Sequence, residues 1–289
     1  MDVLREQTLL LITAPLLLLA ILIELGLTYF RGIRAYSWRE TLTNGYLALL
    51  NGSLDLLLRA VLVLPILQWC WDHRMLEPLE GWLYWVALFV VEDFAYYALH
   101  FVDHHCRFFW AVHVTHHSSP EFNLSTGFRS SVFQPVYRTA YFAPIALMGF
   151  APMDILLMYA LTQIYGSLIH TQQVGRLGWL EAVLVTPSHH RVHHASNPKY
   201  LDKNMGMCLI LWDKLFGTFQ EELEGEPVRF GLTKPLEGRG PLQIVFHEWR
   251  DLLRDVRASG LPWRERLGFL YHGPGWRPAG PRQGVQEKA

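Results

Sequence analysis

Residues 93–119 read DFAYYALHFVDHHCRFFWAVHVTHHSS, with His100 and His104 four apart and, after an aromatic spacer, His113, His116 and His117 in the pattern HxxHH. Residues three and four apart share a face of an α-helix, so each group can aim its imidazoles at one point. That is how a helix presents metal ligands. Residues 187–194, PSHHRVHH, repeat the pattern with His190, His193 and His194, and His170 ends an apolar run between the two clusters. One HxxxH arises easily by chance. Two HxxHH clusters beside it, interleaved with Trp110, Val112 and Val114 instead of lying in a low-complexity tract, favour metal binding over loose surface histidines.

Nine imidazoles exceed what one ion can use, since a zinc site closes with about four ligands and a first-row metal takes at most about six. Two ions with four or five histidines each fit the count and leave coordination positions open. Imidazole suits iron and zinc alike, so the residues alone leave the metal unnamed.

The run from residue 82 to 219 resembles the fatty acid hydroxylase/sterol desaturase superfamily of membrane di-iron proteins. The resemblance rests on the histidine stretch above, on His170-Thr171, and on TPSHHRVHH followed by SNPKYLDKNMG and LWDKLFGTF. Within it, HHSSPEFNLSTGFR and TPSHHRVHHASNPKYLDKN look most like the alkylglycerol monooxygenase-like branch. The resemblance implies two irons held by the nine histidines, with zinc an alternative in isolated protein, and no catalytic residue beyond the ligands. It also implies O2 as a substrate, a membrane lipid whose aliphatic C–H bond is hydroxylated or desaturated, and an external two-electron donor. Where that branch carries a glutamate associated with pterin dependence this chain has His105, and Phe101 replaces the usual arginine. The donor stays open among a reductase, a small electron-carrier protein and a reduced pterin.

Outward from the histidines, the 289 residues are 51% hydrophobic and the apolar residues fall in blocks. Residues 9–27 are nearly uninterrupted, about the length that spans a bilayer, and lack the basic flank and small-residue cleavage site of a signal peptide. Arg31, Arg34 and Arg39 follow, a basic loop that the positive-inside rule assigns to the cytoplasm. Residues 42–69 form a second block in which Asp55 and Arg59, four apart, are expected to pair; a Trp-rich acidic loop follows, and residues 81–99 run back to His100. Residues 137–150 and 153–169 read as a hairpin turning at GFAP. Five crossings would bring every histidine of the set to one side. The expected fold class is all-α, a polytopic membrane helical bundle with a cytoplasmic histidine-rich cap. Its parts are N-terminal membrane helices (1–80), the di-iron domain (81–220) and a cytoplasmic C-terminal segment (221–289) with an amphipathic helix, suited to a membrane surface, and a polar, disordered tail from residue 278.

Supporting roles follow from position. Asp93 and Tyr97 share the helical stripe of His100, where a carboxylate can accept the second ring N–H of a ligand histidine. His189 is either a neighbour of the ligand set or an alternative to His190. Asn123 and Arg129, in the polar segment after the first HxxHH, are the candidate substrate-binding residues, where Arg129 suits a lipid headgroup or the membrane surface.

Other classes fit poorly. The formal net charge is −1 with no long basic run, which argues against nucleic acid. Gly166-Ser167 is not part of a nucleophile elbow, and Cys70, Cys106 and Cys208 have no disulfide or iron–sulfur spacing. A metal-storing or metal-transporting bundle is the non-oxidative alternative, but transporters place ionisable groups at mid-membrane, whereas these histidines cluster at segment ends.

Overall fold

The computed structural model describes residues 2–130, 132–236, 240–258 and 260–278. Among them the regular elements are helices, accompanied by two isolated β-bridges, Leu184 to Leu209 and Ala195 to Phe230. The polar tail expected from residue 278 lies almost entirely outside the described residues.

Among the described residues, three helical stretches are long and apolar enough to cross a membrane. The first lies in α1 (Asp2–Phe30), as Leu11–Phe30. The second, Trp38–Asp72, joins α2 (Trp38–Leu58) to α3 (Leu64–Asp72), and the third is α4 (Gly81–His105). A π-helical turn, Arg59–Val63, links α2 to α3 just before Pro65. Proline lacks an N–H and its ring crowds the carbonyl four residues back, and a widened turn accommodates both. Ser37 caps α2, its hydroxyl accepting from the Glu40 N–H.

The expected hairpin forms as α6 (Gln134–Leu147) and α7 (Pro152–Leu168). Its 14 and 17 residues fall short of the roughly 20 that cross a bilayer core, so the five expected crossings become three candidate spans and a short hairpin. The main core lies between α3, α4, α6 and α7, where Leu67, Leu88, Phe142, Ile145 and Leu156 are buried together.

Polar contacts inside the bundle tie helix ends together. Asp55 pairs with Arg59 at 2.9 Å, as the spacing predicts, and also with Arg138 of α6. Glu24 near the end of α1 accepts from Tyr36, from the Leu124 N–H at 2.8 Å and from the Thr171 hydroxyl. That carboxylate thus joins the end of α1 to the segments after His117 and His170.

The C-terminal amphipathic helix forms as α10 (Pro241–Val256), followed by α11 (Trp263–Tyr271). Part of its apolar face is covered by protein. Ile244 and Val245 pack with Leu47 of α2, Leu252 packs with Ala111, and Glu248 and Asp255 both accept from the buried Arg107 guanidinium. The helix therefore braces the segment that carries the first HxxHH.

Candidate metal centre

Cys106 decides how the first histidines meet. It is extended (φ −125°, ψ 115°), so α4 ends at His105 and α5 (Arg107–His117) starts in a new direction. His100 and His104 on one helix then face His113 and His117 on the next. The second HxxHH lies on α8 (Pro187–His193), whose start follows from its sequence: Thr186 is the N-cap and Pro187 the first helical residue. His189 completes a capping box by accepting the Thr186 N–H on Nδ1 at 3.3 Å. His189 is thereby turned toward Thr186 and Phe219, and His190 toward the other histidines.

All nine histidines singled out from sequence converge, in two groups. His100, His104, His113, His117 and His193 place one ring nitrogen each within 4.8 Å of one another, and so do His116, His170, His190 and His194. Each HxxHH divides between them. On a helix the first and third of its histidines, i and i+4, lie about 40° apart, while i+3 points about 100° away from i+4. His113 and His117 therefore join the five while His116 joins the four; in the second cluster His190 and His194 join the four and His193 the five.

Backbone carbonyls set the tautomers. A carbonyl oxygen only accepts, so the ring nitrogen facing it carries the proton and the opposite nitrogen presents a lone pair. His116 donates from Nδ1 to the Arg129 carbonyl at 3.0 Å and His170 to the Gly166 carbonyl at 2.7 Å, yet their Nε2 atoms are 3.3 Å apart. Two lone pairs meeting at that distance repel unless a cation lies between them. In the larger group, His100 donates to the Met205 carbonyl at 2.8 Å and His193 to the Lys203 carbonyl at 2.9 Å, and His193 Nε2 is buried without a partner among the described residues. Burial pushes His113, His117, His170, His190, His193 and His194 well below the usual imidazole range, and His116 down to about 4. Neutral imidazoles with inward lone pairs fit metal ions, and an all-nitrogen donor set suits iron, zinc or copper.

Two carboxylates stand beside the ligands: Asp202, from the polar loop that the sequence places near the site without a contact to a histidine, and Asp103, to which the sequence gives no role. Asp202 lies 3.2 Å from His104 Nδ1, and the fully buried Asp103, which accepts from Tyr137 and Gln134, lies 3.5 Å from His113 Nδ1. Asp202 sits in a loop that also supplies the Lys203 and Met205 carbonyls. Two of its residues, Asp202 and Asn204, adopt φ 55°, a left-handed conformation that Asp and Asn tolerate better than most residues. DKNM is therefore a legible signal in the sequence: two such residues bracket a bend that brings three groups to three histidines.

Asp93 plays a different part from the one expected. Its oxygens accept from the Cys208 and Leu209 N–H groups and the Trp212 indole at 2.9–3.1 Å, so it pins the chain after Met205 instead of touching a histidine ring. Tyr97 bonds the Thr218 hydroxyl and stacks on Phe216. Thr218 in turn donates to the buried Asp213, which accepts from the Met205 and Gly206 N–H groups. A Cβ on Gly206 would lie 2.6 Å from the Leu209 carbonyl oxygen and 2.9 Å from Asp213 Oδ2, which is why that position is glycine.

Asn123 and Arg129 are both 1% exposed and do not face a headgroup. Asn123 closes a turn by accepting from the Ser125 N–H and hydroxyl and donates to the Ala35 carbonyl. Arg129 is held by Glu40, Asn44, Ser118 and the Thr115 carbonyl. Its own carbonyl orients His116, so Arg129 acts on the site through the backbone.

Residues 85–218 match the fatty acid hydroxylase family model. The chain is 40% identical over 205 residues to the alkylglycerol monooxygenase of Homo sapiens, covering 71% of this chain and 45% of that protein. It is 30% identical over 178 residues to the ornithine lipid hydroxylase OlsE of Rhizobium tropici, covering 57% and 54%, and 26% identical over 158 residues to a Delta(7)-sterol 5(6)-desaturase of Gibberella zeae, covering 51% and 46%. The chain thus spans about half the length of these curated relatives. No solved structure matches it.

Proposed function

The chain belongs to the fatty acid hydroxylase family, on its alkylglycerol monooxygenase-like branch, and on that premise we propose that it is a membrane-bound di-iron oxygenase hydroxylating an aliphatic C–H of a lipid. The observation that carries this reading is the division of nine histidines, eight of them buried and His116 partly so, into two inward-facing groups, five and four. The larger group would hold one iron and the smaller the other. When bound, the irons would supply the O2 binding and redox chemistry that oxidises an unactivated C–H bond.

The chain's own contribution is geometry and dryness. Met205, Lys203, Arg129 and Gly166 carbonyls fix the rings of His100, His193, His116 and His170, so little reorganisation is needed when metal binds. Asp202 places negative charge beside His104, which strengthens that ligand, and the buried Asp103 places a carboxyl oxygen beside His113. Turnover converts RH, O2, two electrons and two protons into ROH and water, and the electrons come from an outside donor, whether a reductase, a carrier protein or a reduced pterin.

Membrane placement follows the same logic. Arg31, Arg34 and Arg39 after α1 favour the cytoplasm for that loop. The contacts of Glu24 with Leu124 and Thr171, and of Arg31 with Gln173 at 2.7 Å, hold the histidine segments at the same end of the bundle. In this topology α1, α2–α3 and α4 cross, α6–α7 re-enters from the histidine side, and the metals lie at the cytoplasmic boundary.

The test is purified full-length protein in lipid vesicles, assayed for iron, for lipid-dependent O2 uptake with a reductant, and for lipid products by mass spectrometry. Hydroxylation adds one oxygen and desaturation removes two hydrogens, so the product separates the two outcomes. Stoichiometric zinc with no O2 uptake, in protein purified without metal exchange, would refute the oxygenase.

A further inference from the structure

The LWDKLFGTF motif is more than packing. Its helix α9 (Leu211–Phe216) joins the short 3-10 turn Gly178–Ala182 in one unit. Val185 N–H donates to the Cys208 carbonyl at 2.8 Å, Ile210 N–H to the Val183 carbonyl at 3.0 Å, and Lys214 Nζ to the Ala182 carbonyl at 2.8 Å. The outer face of this unit is apolar and uncovered: Trp179 is 81% exposed, Leu215 69% and Phe216 53%.

That face continues a lipid-facing surface. Val86, Val90 and Phe94 repeat every four residues along α4 and are exposed, an outward stripe on a candidate membrane span. The Phe94 ring meets Trp212 at 5.0 Å and Phe216 at 6.2 Å, so the stripe runs directly onto α9. Depth follows from the helix rise: from Gly81 to Phe94 the helix advances roughly 20 Å, about two thirds of a hydrocarbon core about 30 Å thick. Side chains level with Phe94 on this face therefore meet acyl chains before they meet water. The backbone of the unit suits such a place, because the Lys214 amine covers carbonyls that lipid would leave unpaired.

We propose that residues 177–184 and 211–216 form a wedge seated in the acyl region of the lipid leaflet on the histidine side. The wedge is fastened to the metal centre, since Asp213 on its inner face holds the Met205 and Gly206 N–H groups and the Met205 carbonyl orients His100. The seat depends on Gly81–His105 crossing the membrane and not on which metal is bound or whether turnover occurs, so it can fail while the oxygenase reading stands.

The experiment attaches a nitroxide to Trp179→Cys and, separately, to Leu215→Cys in a full-length Cys106→Ala background, Cys70 and Cys208 being buried. Both positions lie on the outside of the unit, and each reports independently of the other. In phosphatidylcholine vesicles, collisions with O2, which concentrates in hydrocarbon, are compared with collisions with a water-soluble nickel chelate. Both labels are expected to show an O2-to-nickel ratio severalfold higher than a label at Lys199→Cys, on the exposed polar loop. A nickel-dominated signal at both positions overturns the wedge. Exclusion of both reagents overturns it too, by showing a protein surface over this face, from a second copy or another partner.

Discussion

The five-histidine and four-histidine groups share the two HxxHH clusters, but the five draw on α4 and the four on His170, and they are supported differently. Around the five, a flexed loop supplies the Lys203 and Met205 carbonyls, and two carboxylates, Asp202 and Asp103, stand beside His104 and His113. Around the four, the support is uncharged main chain, the Arg129 and Gly166 carbonyls, and His190 Nδ1 is buried with no partner among the described residues. The lesson is that similar ligand motifs can make unequal sites: the larger group has a spare ligand and nearby anionic charge, the smaller has neither.

The largest test of that inequality removes one ligand from each group. His170→Ala leaves three histidines in the smaller group and is expected to lose one metal per chain and all detectable turnover. His104→Ala leaves four in the larger group and should keep both metals with reduced activity. Metal analysis beside an activity assay checks both, and equal metal loss in the two variants would break the comparison.

Next in size is Arg129→Met. It removes the cation paired with the buried Glu40 carboxylate and loosens the carbonyl that orients His116. Breaking a buried ion pair costs about 3–5 kcal/mol, so thermal unfolding in detergent should occur well below that of the parent, with metal lost first from the smaller group. Asp202→Asn is milder and confined to the larger group, where loss of an outer carboxylate lowers metal affinity by roughly 10–100-fold; chelator competition should show one weakened site and one unchanged. The smallest effect is expected at Thr186→Ala, which removes the cap of the helix shared by both groups at about 1 kcal/mol and should lower thermal stability slightly without favouring either metal.

Some of this was legible along the chain. The nine histidines, the Asp55–Arg59 pair, the α6–α7 turn and the cap of α8 follow from helical spacing and from residues such as Thr186 and Pro187 whose preferences are local. The misreadings share one cause. Asp93 has the right spacing to serve His100, but spacing along one helix says nothing about the Cys208 and Trp212 donors that reach it from more than a hundred residues away. Arg129 looks like a surface cation until Glu40 and Asn44 of α2 close over it. Asp202 looks like loop polarity until the two left-handed residues bend it onto His104.

The sequence by itself determined that this is a helical membrane protein with nine histidines at the ends of its segments, because the 3.6-residue period and the length of an apolar run are properties of neighbours along the chain. Which histidine serves which group, and which polar residue steadies it, only the tertiary structure decided. Those choices depend on the bend at Cys106 and on contacts between distant segments, and a histidine pointing 100° away from its neighbour on a helix has no partner until another helix arrives.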